Sequence, residues 1–144
     1  MKGIARPDVT QDLLQALLDH FWEARRKRVP REPKLYPSGY LISYTSLIQR
    51  AGVAVEARRL GHQLTEIAEL AVLKGWPPLA ALVVRQDAGH PGVGYFRRPG
   101  SPKIDLVTED HLRGWEAEAR SCIDFERLPR RAPALKVAQT MDPA

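Results

Sequence analysis

Ser43-Tyr44-Thr45-Ser46-Leu47-Ile48-Gln49-Arg50-Ala51-Gly52 reads as a short helix with both of its ends written into it. Ser43 or Tyr44 starts it, Leu47 and Ile48 turn inward, and Gly52 supplies the left-handed residue at which helices commonly stop. After a brief turn a second helix is expected from Val55 to Leu73, because Leu60, Leu64, Ile67 and Ala71 recur at helical spacing on one face. Gly61 is a point inside that span that favours a break. Gly75 ends the pattern, and Trp76, Pro77 and Pro78 turn the chain into Leu79–Val84, a continuous apolar run that reads as a buried strand. Gln86–Gly92 contains Asp87, Gly89, Pro91 and Gly92, so a hairpin is expected there, with Val93–Arg98 as its return strand.

Working outward, Asp8 to about Arg28 reads as an N-terminal helix: Asp8 and Gln11 resemble a capping box, and Leu14, Leu17, Leu18 and Phe21 form an apolar stripe. Pro30, Pro33, Pro37 and Gly39 make the following stretch an extended connector, with a short strand over Gly39–Ile42. On the other side, Thr108 is a good N-cap for a C-terminal helix whose stripe is Leu112, Trp115, Ala119, Cys122 and Ile123. Pro129 and Pro133 end the ordered pattern. The expected fold is therefore α+β: a winged helix-turn-helix with additional N-terminal and C-terminal helices. Residues 1–128 are expected to form one domain with its core at 42–98, and residues 129–144 a flexible tail.

The chain is 144 residues long, with 44% hydrophobic and 27% charged residues, enough apolar material for a real core. Its longest apolar runs fall far short of the roughly 20 residues of a membrane-spanning helix. The first residues lack an apolar stretch before a small-residue cleavage site, and a single cysteine cannot form an internal disulfide. These features point to a cytoplasmic protein. Lys and Arg number 22 against 17 Asp and Glu, and their distribution is uneven. Arg25, Arg26, Lys27, Arg28, Arg31 and Lys34 are opposed only by Glu32, whereas residues 105–126 carry seven acids against Arg113 and Arg120. A basic side suited to a polyanion and an acidic side are expected.

Four segments sharpen the helix-turn-helix reading: Ser43-Tyr44-Thr45-Ser46-Leu47, Ala57-Arg58-Arg59-Leu60-Gly61-His62-Gln63-Leu64, Pro78-Leu79-Ala80-Ala81-Leu82-Val83-Val84-Arg85 and Gly92-Val93-Gly94-Tyr95. Together they resemble the DNA-binding domain of O6-alkylguanine DNA alkyltransferases and alkyltransferase-like proteins, over roughly residues 42 to 96. The resemblance implies that Tyr44 helps rotate a nucleotide out of the duplex, that Arg58 fills the gap, and that Gly61 lets the recognition helix pack closely. The family's reactive P-C-H-R-V segment is missing. In its place stands Leu82-Val83-Val84-Arg85, with neither nucleophile nor proton relay.

The function expected from these residues is non-catalytic DNA binding. Tyr44, Arg58 and Arg59 would contact bases or the gap, and Arg25, Arg26, Lys27, Arg28, Arg97 and Arg98 would contact phosphates. Each has a plainer reading: Tyr44 packs the start of a helix, and the arginines are solvated helix ends. Trp22, Trp76 and Trp115 read as core anchors. No catalytic constellation, cofactor motif or metal-ligand spacing is legible, His20, His62, His90 and His111 being scattered. The alternative is a protein-interaction module, such as a small regulator or immunity-type factor, on a winged-helix scaffold. Incubation with a modified guanine should leave the protein unalkylated. Mass spectrometry that finds Cys122 alkylated would contradict this expectation.

Overall fold

A computed structural model describes residues 5–31, 33, 39–96 and 106–134, with side chains from residue 9 onward. Five α-helices and a two-stranded sheet follow in the order α1 (Ala5–Arg26), β1 (Ile42–Ser43), α2 (Tyr44–Ala51), α3 (Gly61–Lys74), β2 (Val83–Val84), α4 (Val93–Phe96) and α5 (Glu109–Asp124). Tight 3-10 turns at Ala57–Arg59 and Leu79–Leu82 precede α3 and β2. The α+β class holds in this coarse form. Among the described residues no helix is long and apolar enough to cross a membrane.

α1 is the central post. Leu13, Leu14, Leu17, Leu18 and Phe21 are fully buried, and α2 and α3 both pack against it. The helix already includes Ala5, so the Asp8–Gln11 pair lies inside it and does not mark its start. At the other end Arg28 adopts φ 57, Arg28 N–H donates to Arg25 O, and Val29 N–H reaches back to Ala24 O. This Schellman finish recurs at Gly52 and Gly75, both left-handed, whose N–H groups and those of Val53 and Trp76 cap the last carbonyls of α2 and α3.

Two expected elements take another form. The helix expected from Val55 begins only at Gly61. Glu56 is extended, and Arg59 and Leu60 donate to Glu56 and Ala57 carbonyls three residues back. That short-range pattern closes a 3-10 turn, and buried Leu60 anchors it to the core. Arg58 and Arg59 therefore sit on the turn in front of α3 and not on the helix.

The run Leu79–Val84 is buried throughout, as expected, but its first four residues coil. Pro78 O accepts from Ala81 N–H and from the Cys122 thiol at 3.0 Å, while Ala81 O accepts from Trp115 Nε1–H at 2.8 Å. Only Val83 and Val84 pair, parallel to Ile42 and Ser43. Among the described residues no return strand follows: Val93–Phe96 is helical, and Arg97 and Arg98 lie outside the described residues. Arg85 N–H closes the intervening loop onto His90 O, and Gly92 N–H donates to the Tyr44 hydroxyl at 2.9 Å. The outgoing chain is thereby tied to the start of α2.

α5 starts as expected, with Thr108 and His111 capping one another reciprocally. Beyond it, Pro129, Arg130 and Ala132 contact α1. Leu128 and Ala132 are buried, Trp22 Nε1–H donates to Pro129 O, and Gln15 bonds both Arg130 O and Ala132 N–H. Arg130 covers the Trp22 ring at 4.3 Å. Arg25 joins these parts. Its guanidinium donates to the Tyr40 hydroxyl and to Ile123 O at the end of α5, and lies 4.9 Å from the Phe21 ring centre. Replacing Arg25 with Met removes charged hydrogen bonds and should cost about 2–3 kcal/mol of stability in denaturant unfolding, whereas Arg26→Met should change it by less than about 0.5 kcal/mol.

Candidate nucleic-acid interface

Tyr44 is the first residue of α2, and Ser43 caps that helix by accepting from Ser46 N–H at 3.1 Å. The parallel pairing of Ser43 with Val84 places the start of α2 beside the chain leaving β2. The half-buried phenol consequently stands over the Arg85–Gly92 loop. Burial raises its pKa above the usual 10.0, against the opposing influence of the Gly92 N–H and Arg85.

Tyr44 and Thr45 form one side of an open groove of about 480 Å³, completed by Ala57 and by Arg85, Gln86 and Asp87. Ala57 is the first residue of the 3-10 turn Ala57–Arg59. The Arg58 and Arg59 side chains are 78% and 73% exposed, and both reach Glu56 Oε1, at 3.0 and 3.4 Å. Arg85 makes a two-pronged contact with Asp87, Nε to Oδ1 at 3.1 Å and Nη2 to Oδ2 at 2.8 Å. Surface pairs of this kind contribute about 0–1 kcal/mol, so a phosphate can displace the carboxylate from any of these arginines at little cost. The groove therefore offers hydrogen-bond donors, an aromatic hydroxyl and exchangeable cations. Among the described residues no group of three or more His, Cys, Asp or Glu is placed to hold a metal ion.

The expected site residues separate into three sets. Tyr44 lines the groove, whereas Arg58 and Arg59 follow its lining residue Ala57 on the adjoining turn and pair with Glu56. Arg25 stands apart, its guanidinium bonded to the Tyr40 hydroxyl and to Ile123 O at the end of α5. Arg26 and Lys27 instead approach Glu23, at 4.0 and 3.3 Å, while Arg28 is exposed at the left-handed turn. Arg85 was missed by sequence reasoning. Its signal was the Arg85–Asp87 spacing within a turn, which becomes a groove wall only when β2 pairs with β1.

A second groove, of about 450 Å³, lies on another side of α2, between Ser46, Gln49 and Arg50 and the α1 residue His20. The His20 ring meets Leu41 O through Nε2 at 3.2 Å, and since a carbonyl only accepts, Nε2 carries the proton. Burial first, then Arg50, lowers the His20 pKa below its usual 6.5, outweighing the Leu41 and Tyr40 carbonyls and Glu23. Folding therefore favours the neutral ring. That contribution to stability is complete above pH 6.5 and is lost as the pH falls through the lower folded value. Unfolding by urea between pH 7.5 and 5 should show this loss, and His20→Gln should flatten it. No family model, curated protein or solved structure matches the chain.

Proposed function

We propose that this protein binds DNA without carrying out a reaction on it, using the edge formed by Tyr44, the Ala57–Arg59 turn and Arg85. The observation that carries this reading is that Ala57, which lines the Tyr44–Arg85 groove, opens the turn that carries Arg58 and Arg59, both with side chains more than 70% exposed. α2, the turn and α3 follow one another in the order of a helix-turn-helix, in keeping with the alkyltransferase-like resemblance. The Arg85–His90 loop takes the place in the chain expected for a wing.

The contact is with the N-terminal end of α3 and not with its length. Past its first turns the exposed residues are Glu69, Val72, Leu73 and Lys74, and of these only Lys74, in the last turn, carries a charge suited to a phosphate backbone. The preceding turn, with two exposed arginines, presents the opposite character. Val72 and Leu73, 78% and 83% exposed, favour a second reading in which this end of α3 meets another protein.

Changing Arg58 to Ala should weaken binding to a short duplex by about 1–3 kcal/mol if a base contact is lost, or lower the salt slope by about one unit if a phosphate contact is lost. Arg59→Ala should behave similarly, and both variants should remain folded because the side chains are exposed. Unchanged affinity and salt slope in both would move preference to the protein-interaction reading.

A further inference from the structure

Three cations meet at Glu23. Arg50 of α2 lies 2.8 Å from its carboxylate, Lys27 3.3 Å and Arg26 4.0 Å. Three positive groups against one carboxylate leave two charges in excess. Arg50 and then Lys27 hold Glu23 below the usual carboxylate range, so the carboxylate stays ionised and keeps the cations assembled. The basic end of α1 and the exposed side of α2, 27 residues apart at the Glu23–Arg50 pair, thus form one patch.

The patch continues into the second groove. Arg50 lines it together with Gln49 and Ser46, exposed residues that offer an amide and a hydroxyl. Cations beside neutral amide and hydroxyl donors are what phosphodiester contacts are made from. Thr45 lines the Tyr44 groove while Ser46, Gln49 and Arg50 line the other, so α2 stands between the two concavities. In helix-turn-helix proteins the first helix of the pair crosses the backbone. A concave channel with uncharged donors suits a phosphodiester chain better than it suits a flat anionic membrane.

We infer that the C-terminal end of α1 and the outer side of α2 hold the sugar–phosphate backbone of a DNA duplex, through Arg26, Lys27, Arg50, Gln49 and Ser46. This rests on the DNA-binding reading and adds a second contact across α2 from the Tyr44 groove. Glu23 restrains the contact: it gathers the cations and competes with phosphate for them.

The test is fluorescence anisotropy of the full chain with a labelled mixed-sequence duplex, titrated across salt, with circular dichroism to confirm folding. The combined variant Arg26→Ala, Lys27→Ala, Arg50→Ala should lose two to three units of salt slope, at about 0.9 per phosphate contact. Glu23→Gln should do the reverse and tighten binding several-fold at low salt, an outcome that a purely structural cluster would not give. A wild-type slope in the triple variant, with Arg58→Ala and Arg59→Ala still weakening binding, would overturn this surface and leave the DNA reading standing. Failure of the unaltered chain to bind duplex at low salt would overturn both. Vesicles containing phosphatidylserine serve as the competing polyanion. If the triple variant loses vesicle binding but keeps duplex binding, the patch belongs to a membrane and the inference fails.

Discussion

The backbone from Pro78 to Val84 runs through the interior, where a peptide group left without a hydrogen-bond partner costs about 1–3 kcal/mol. Six consecutive buried residues, Leu79–Val84, make this the constraint to which the other elements answer. A 3-10 turn supplies Ala81 N–H with the Pro78 carbonyl, Trp115 and Cys122 of α5 reach the Ala81 and Pro78 carbonyls, and β1 pairs with the two valines. Each partner is thereby positioned. α5 is docked by its Trp115 indole, and α2 leaves β1 beside the Arg85–Gly92 loop. The Cys122 thiol is consumed in the same arrangement; burial pushes its pKa up, which suits a packing group rather than a nucleophile.

The candidate interface follows from that pairing. Tyr44 comes directly after β1 and Arg85 directly after β2, so a register of two residue pairs fixes both walls of the groove. The hydrogen bond from Gly92 N–H to the Tyr44 hydroxyl ties the far end of the loop to the same ring. Arg58 and Arg59 need a different device: a turn too short to bury them, anchored by Leu60, which is itself fully buried.

Two carboxylates each gather several cations: Glu56 receives Arg58 and Arg59, and Glu23 receives Arg26, Lys27 and Arg50. Such exposed pairs add little to stability, yet they keep like charges near one another that would otherwise separate. Arg25 is engaged differently. Enclosed between α1, Tyr40 and the end of α5, it works as a joint in the fold, and the chemistry that makes Arg fit a phosphate also lets it gather carbonyls.

Periodicity and capping chemistry are local, and the sequence by itself determined what depends on them: the stripe of α1, the Ser43 and Thr108 caps, the Gly52 and Gly75 stops and the burial of Leu79–Val84. Tyr44, Arg58 and Arg59 were singled out in the sequence through a motif resemblance. Tertiary structure decided the rest. Whether an apolar run extends or coils depends on which groups stand ready to take its carbonyls, and Trp115 lies 34 residues from Ala81. Val93–Phe96 is helical where a strand was expected, and the glycine before it is held by a hydroxyl 48 residues away. The division of the basic run, with Arg25 inside and Arg26 and Lys27 outside beside Arg50, rests on where one turn of α1 points, because adjacent helical residues face about 100° apart and meet different neighbours.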